Sequence, residues 1–341
     1  MRQDTVAFSA AITACERGSR WPEALSLLDT MQRADVQRDV VAWNACMSAC
    51  ENLGEWQVAL HLLDSMELLM LHPDAISYNA CLSACEKGHQ WQVAVAILST
   101  STCGSDVISY NAVISACGNA REWRLALSLL EAMPRAQVVP NNISFSAAIS
   151  GCEKAWQWQA ACSLLEEMQC LEVEVNVIGF NSVLSACEKC SEWQDAMELL
   201  TQAPQRGLVP DGITCNAVLS ACDKGKQWQL ALHILKLLEE CQLQADDISC
   251  NAAISACAKG DQWQRALVLF MDFEFLASSK RDLITYNAAM NAMARGGQWL
   301  LALAFLARMH HEMLEPDQIS FNAALDACCK GQAMVNSAAG G

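Results

Sequence analysis

The chain has 341 residues, 53% of them hydrophobic, and carries 22 Lys and Arg against 38 Asp and Glu, for a net charge of −16. No apolar run is long enough to cross a bilayer, and the opening Met-Arg-Gln-Asp-Thr-Val-Ala-Phe-Ser holds neither an apolar signal core nor an Arg/Ser-rich presequence. So acidic a chain is a poor non-specific binder of polyanions, and nineteen cysteines without a secretory leader point to a reducing compartment rather than a disulfide framework.

Residues 213–232 recur almost unchanged at 248–267 and at 108–127. Self-similarity at a fixed period outranks other sequence signals because it sets the whole architecture. Units begin at Thr5, Val40, Ala75, Val107, Asn142, Val177, Gly212, Asp247, Leu283 and Gln318. The spacing is 35 throughout, except 32 for the third unit and 36 for the eighth. The third unit loses residues around Ser99 to Ser105, and the eighth gains one near Ala277 to Lys280. The array is therefore nine full units and the first half of a tenth, over 5–330. Residues 1–4 read as the end of a preceding unit or a leader, and 331–341 as a disordered tail. The chain is expected to be an excerpt of a longer protein.

Each unit reads as two helices. In the first, Tyr110, Val113, Ile114 and Cys117 fall at i, i+3, i+4 and i+7, one apolar face. A break follows, as in Lys224-Gly225-Lys226. The second helix repeats the pattern with Trp228, Ala231, Leu232 and Leu235. It is predicted to end before Pro73, Pro140, Pro210 and Pro316, and early at Pro134 and Pro204. Pro22 suits a first helical turn. One unit cannot bury both apolar faces alone, so the expected fold is all-α, a right-handed α-solenoid superhelix of stacked helix-turn-helix repeats. Nine tryptophans (Trp21, Trp56, Trp91, Trp123, Trp158, Trp193, Trp228, Trp263, Trp299) hold one place in the unit. An aromatic platform for bases is one reading; an apolar stripe packed between helices explains the spacing better. Nine cysteines at another fixed place, among them Cys117 and Cys222, act as small buried hydrophobes.

The remaining face of the first helix is polar. Asn216, Ser220 and Lys224 lie at i, i+4 and i+8, on one side of the helix. Asn251-Ser255-Lys259, Asn181-Ser185-Lys189 and Asn79-Ser83-Lys87 repeat the row. A packing face has no use for it, and Asn is a poor helix-interior residue. Stacking turns the rows into lanes. The cationic lane holds Arg17, Lys87, Lys154, Lys189, Lys224, Lys259, Arg295 and Lys330, interrupted by Asn52 and Asn119. Cations closing a helix also complement its macrodipole. The last residue of every unit is Asp or Asn. That position suits an N-cap for the next helix, although a cap alone would accept Ser and Thr as well, and neither appears.

These residues resemble the pentatricopeptide repeat family. The marks are the 35-residue period, the Val/Ile-x-Tyr-Asn opening (Val107-Ile-Ser-Tyr-Asn111), the Gly between helices, the Ala126-Leu127 and Ala231-Leu232 pairs, and the closing Pro73-Asp74 and Pro210-Asp211. The resemblance covers nearly the whole chain. It implies one base of single-stranded RNA per repeat, read by two or three side chains. In the family the fifth and last residues of a unit read the base edge. Carried over, Ser9 with Asp39 implies G. Asn44 with Asp74, Asn79 with Asp106, Asn181 with Asp211, Asn216 with Asp246, Asn251 with Asp282 and Asn287 with Asp317 imply U. Asn111 with Asn141 implies a pyrimidine and Ser146 with Asn176 implies A. The target then resembles G-U-U-Y-A-U-U-U-U. The second residue of each unit wedges between bases: Val6, Val41, Ile76, Ile108, Ile143, Ile178, Ile213, Ile248 and Ile284. The cations from Arg17 to Arg295 lie near the RNA backbone.

No unit carries a catalytic constellation. Cys187-x-x-Cys190 lacks a second ligand pair, and no Pro-Cys-x-x-Cys follows His310-x-Glu312. No enzyme activity, cofactor or metal is expected. The expected partners are single-stranded RNA and protein factors of RNA processing, with no membrane and a monomeric state. The family resemblance implies an organellar location, chloroplast or mitochondrion. A protein-binding α-solenoid scaffold is the alternative, since solenoid surfaces host many ligands.

Overall fold

The computed structural model describes residues 2–34, 39–100, 106–240, 243, 245–276 and 282–339. Among these there are nineteen α-helices and no strand. They come in pairs: α1 (Arg2–Arg17) with α2 (Trp21–Arg33), α3 (Val40–Glu51) with α4 (Trp56–Leu68), α5 (Ala75–Lys87) with α6 (Trp91–Thr100), α7 (Val107–Asn119) with α8 (Trp123–Arg135), and α9 (Asn142–Lys154) with α10 (Trp158–Cys170). Then follow α11 (Val177–Cys190) with α12 (Trp193–Gln202), α13 (Gly212–Lys224) with α14 (Trp228–Glu240), α15 (Asp247–Lys259) with α16 (Trp263–Leu276), α17 (Leu283–Arg295) with α18 (Trp299–His311), and α19 (Gln318–Ala339). The chain forms two compact units, Met1–Val183 and Leu184–Gly341.

In the first unit each first helix lies against the next, α1 on α3, α3 on α5, α5 on α7 and α7 on α9; in the second, α13 on α15, α15 on α17 and α17 on α19 do the same. Second helices touch their own first helix and the following one. A first helix is thus flanked on several sides, and its buried face is wider than the four positions the periodicity marks. On α13, Cys215, Ala217, Val218, Leu219, Ala221 and Cys222 are all buried. Small residues at the sixth and tenth places let neighbouring first helices approach. One such contact is glycine on glycine: a Cβ on Gly151, at the tenth place, would sit 2.8 Å from the Gly118 Cα. Cys50, Cys85, Cys117, Cys152, Cys187, Cys222 and Cys257 are buried, whereas Cys15 and Cys328, in the outermost helix pairs, are half-buried. Burial pushes the thiols of Cys50, Cys117, Cys152, Cys222 and Cys257 up to about 11, which leaves them unreactive near neutral pH.

The break between helices differs from the expectation. After α13, the Gln227 N–H bonds the Cys222 carbonyl at 2.9 Å and the Lys226 N–H the Asp223 carbonyl at 3.2 Å, the pattern of a Schellman stop. The left-handed residue is Lys226 (φ 58°), not Gly225, which is right-handed (φ −76°). His89, Asp261 and Ser191 occupy the same place with φ of 56°, 58° and 66°. The glycine serves space instead. A Cβ on Gly88 would lie 2.7 Å from Trp56, and one on Gly225, Gly260 or Gly296 would collide with the indole of Trp193, Trp228 or Trp263. The periodic tryptophan therefore packs its indole edge onto the glycine of the next repeat. It remains half-buried, and the Arg265 guanidinium stacks 4.3 Å above the Trp228 ring. Leu232 is likewise half-buried; Ile234 and Leu238 complete the inner face of α14.

Three further expectations change. Pro134 does not end α8 early: it lies in the last turn of a 13-residue helix, where the missing N–H costs one terminal bond rather than an interior one. Pro204, by contrast, opens a 3-10 turn directly after α12. Residues 331–339, expected as a disordered tail, continue α19 to Ala339; the Gly-Gln-Ala-Met-Val run holds no proline and rides on a helix already nucleated. Residues 2–4 extend α1 at its start. The deletion and the insertion centre on 101–105 and 277–280, outside the described residues.

Candidate nucleic-acid interface

The start of each first helix is built around the closing Asp or Asn of the preceding unit. Asp39, Asp74, Asp106, Asn141, Asp211, Asp246 and Asp282 sit in extended backbone as N-caps and accept a backbone N–H from the first turn that follows. Capping is therefore one role of this position, worth about 1 kcal/mol per helix. It is not the sole role. Asn44 Nδ2 donates to Asp74 Oδ1 at 3.0 Å, Asn79 Nδ2 to Asp106 Oδ2 at 3.1 Å, and Asn216 Nδ2 to Asp246 Oδ2 at 2.8 Å. Asn287 Nδ2 meets Asp317 at 3.2 and 3.4 Å, Asn111 Nδ2 meets Asn141 Oδ1 at 3.4 Å, and the Ser146 hydroxyl donates to Asn176 Oδ1 at 3.2 Å. A single oxygen can serve both roles: Asp74 Oδ1 and Asn141 Oδ1 each accept from the following helix and from the Asn of the preceding first helix.

These six expected pairs are thus in contact. Asp106 reaches its partner although α6 has only 10 residues. Asp211 caps Thr214 at 2.8 Å, and Asn181 is half-buried on α11. Asp39 caps Ala42 at 3.0 Å, with Ser9 half-buried on α1. Asp282 bonds Thr285, while the Oδ1 of Asn251 is buried without a hydrogen-bond partner.

A third residue, absent from the sequence reading, joins the Asn of five of the clusters: Ser77, Ser109, Ser144, Ser249 and Ser320. The hydroxyls of Ser77, Ser109 and Ser320 lie 2.6 Å from the Oδ1 of Asn44, Asn79 and Asn287, and within 3.0 Å of the capping carboxylate. Ser77, Ser109, Ser144, Thr214, Ser249, Thr285 and Ser320 make up, with Asn44, the buried polar side chains. The recurrence of Ser or Thr at the third place of the unit was the available signal. Ala42 stands there after Asp39, and in the Ser146–Asn176 pair Gly179 takes the third place, where a Cβ would come within 3.0 Å of both Asn176 Oδ1 and Ser146 Oγ. Burial pushes Asp74, Asp106 and Asp246 upward, but the backbone N–H, the hydroxyl and the Asn amide together outweigh it and hold the carboxyls below their ordinary range.

Beside the clusters runs an apolar line with no protein cover. Val6, Val41, Ile76, Ile108, Ile143, Ile178, Ile213, Ile248 and Ile284 are between 57% and 74% exposed. Ile108 and Ile143 flank a groove of about 450 Å³ whose other walls include Asn111, Ser146, Ser115 and Glu86. At the far end of the first helices the cations reach back one repeat. Lys87 Nζ is 3.4 Å from Glu51, Lys224 is 3.2 Å from Glu188, Lys259 pairs with Asp223, and Arg295 is 3.6 Å from Asp261. Lys154 bonds the neutral Asn119 amide oxygen at 2.6 Å. Arg17 and Lys189 are exposed at the ends of their helices' regular turns, and Lys330 pairs with Asp326 on its own helix. Among the described residues no group of three His, Cys, Asp or Glu is placed to hold a metal, and no helix is long and apolar enough to cross a membrane.

Comparison with known proteins agrees with this geometry. The family model described as PPR repeat family matches 38–87, 105–154 and 281–330. The pentatricopeptide repeat domain model matches 163–222 and 198–260, and the PPR repeat model 6–36, 143–173 and 248–274. No curated protein matches. Among solved structures, the maize pentatricopeptide repeat protein PPR10 is similar at 21% identity with a TM-score of 0.61; the match covers 97% of this chain and 53% of that one, so the chain spans about half its length. PPR10 in complex with an 18-nucleotide psaJ RNA element matches at 20% identity, with a TM-score of 0.44 and coverage of 98% and 53%. The PPR domain of Arabidopsis thaliana protein-only RNase P 1 in complex with tRNA matches at 15% identity, with a TM-score of 0.46 and coverage of 56% and 98%. The helix pairs, their caps and the models matching most of its length show that the chain belongs to the pentatricopeptide repeat family.

Proposed function

We propose that this array binds single-stranded RNA in a sequence-dependent way, one base per repeat, within organellar RNA processing, stability or translation. The observation that carries the reading is the recurrence of a bonded Asn–Asp pair (Asn44–Asp74, Asn79–Asp106, Asn216–Asp246, Asn287–Asp317) beside an exposed Val or Ile. In that pair the Asn amide spends one N–H on the carboxylate and keeps the other; the carboxylate keeps a lone pair. A free donor beside a free acceptor complements the uracil edge, with its N3–H donor and carbonyl acceptors. The Ser146–Asn176 pair lacks the carboxylate and presents an amide, which suits adenine.

The target is G-U-U-Y-A-U-U-U-U, read from the first unit to the ninth. The test grafts one native cluster onto another. Changing Asn216→Ser, Asp246→Asn and Ser249→Gly rebuilds the Ser146–Asn176–Gly179 arrangement in the seventh unit. The preference at that one nucleotide is expected to move from U toward A, by the roughly 1–3 kcal/mol that good base-edge contacts contribute. Unchanged preference, in a variant that melts like the parent, would assign the clusters to capping alone. Equal affinity of the parent for the target and a scrambled oligonucleotide would favour the protein-scaffold reading, which the net charge of −16 supports.

A further inference from the structure

The cationic lane is not a row of free charges. Lys87, Lys224 and Lys259 each hold a carboxylate of the preceding repeat, Glu51, Glu188 and Asp223. These acids lie one residue before the lane, at the end of the preceding first helix. Lys224 also donates to the Glu188 main-chain carbonyl at 3.0 Å, so it completes that helix's C-terminus as well. The Asp223 carboxylate is the most withdrawn of the three acids at 15% side-chain exposure, and its Oδ1 has no donor. The acid is not universal: Ala258 and Ala294 take its place in the eighth and ninth units, and in the fourth Gly118 and Asn119 replace acid and cation together, so that Lys154 faces a neutral amide.

Resting on the RNA reading above, we propose that Glu51, Glu188 and Asp223 govern how strongly the array holds an RNA backbone, because a phosphate must displace them to reach the lysines. At Lys87, Lys224 and Lys259 a lane contact is then an exchange of one anion for another. A phosphate that engages Lys224 releases a condensed counterion from the RNA, but the displaced Glu188 gathers a cation in return. Net ion release per contact falls below the usual ~0.7 for single strands. Affinity drops less steeply with salt than the number of lysines suggests, and more of the binding rests on the base-reading clusters. Lys154 escapes the exchange and makes a full-strength contact.

The experiment measures binding of the nonamer G-U-U-C-A-U-U-U-U across a salt series. The variant Glu51→Gln, Glu188→Gln, Asp223→Asn is expected to bind roughly tenfold tighter at low salt, about two- to threefold for each exposed ion pair removed. Its slope of log K against log salt steepens toward about −0.7 per freed lysine. In the parent, Lys154→Ala lowers affinity more than Lys224→Ala does; with Glu188→Gln present, the two losses become equal. This second readout stands even if the triple variant folds poorly. RNA binding with unchanged affinity and slope in the triple variant, or equal losses for Lys154→Ala and Lys224→Ala in the parent, overturns the inference and leaves the RNA reading intact. No binding of the nonamer by parent or variant at the lowest salt removes the RNA reading itself.

Discussion

The two ends of a first helix handle polar groups in opposite ways. At the N-terminal end of α15, Asp246, Asn216 and Ser249 share several hydrogen bonds in one cluster, and Asp246 caps the helix with the same carboxylate that faces Asn216. Helix capping and the contact between repeats there use the same carboxylate. At the C-terminal end, Lys259 and Asp223 pair across two repeats through side chains alone, partly withdrawn from solvent. What is rigid at that end is apolar: Gly260 packed under Trp228. On the proposed RNA reading the contrast separates specificity from strength: a cluster fixed by capping would hold a base-reading geometry, whereas an ion pair would be exchanged.

The comparison breaks most visibly at the glycine. Gly260→Ala places a methyl against the Trp228 indole and is expected to cost about 1–3 kcal/mol, as overpacking does, lowering the melting temperature without altering base preference. Pairing it with Trp228→Ala recovers part of that loss, read in a double-mutant cycle; strict additivity would refute the packing role. Next comes Asp246→Ala, which removes a cap and strands the Asn216 amide, at a cost of about 1–2 kcal/mol in chemical denaturation. Asp246→Asn keeps the cap and costs less than half of that.

The same carboxylate gives a pH signature. The folded value of Asp246 lies below its ordinary one, so its contribution is fully present above the unfolded value near ~3.9 and is lost as pH falls through the folded value beneath it. Asp74 and Asp106 share the direction. Acid unfolding below about pH 4 is thus expected to be shallower in Asp246→Asn than in the parent. The smallest effect belongs to the rim: Lys224→Ala changes stability by no more than about 0.5 kcal/mol, a value that a melting curve resolves as near silence.

Much of this was legible in the chain. A 35-residue period with an apolar helical stripe leaves a stack of helix pairs as the way to bury both faces, and Cys222 and Ala231 fell where the spacing put them. The Asn and Asp lanes stood out because Asn has no reason to recur mid-helix. Ser249 did not stand out, since a serine in a first helical turn is ordinary until its hydroxyl is seen between Asn216 and Asp246. Gly225 was read as a turn residue because glycine usually is one; its right-handed φ and the indole against it are facts about the neighbouring repeat. The acids were overlooked for the same reason: Glu188 and Lys224 are 36 residues apart, and no local pattern pairs them.

The sequence by itself determined the repeat, the helix pairing, the buried small-residue seam and the exposed Val/Ile line, because each depends on periodicity within one unit. The tertiary structure alone decided that the closing Asp serves cap and Asn at once, that Trp meets Gly across a repeat, and that the lysine lane is already occupied by carboxylates. Those contacts join residues one period apart, and stacking geometry rather than composition brings them within hydrogen-bonding distance.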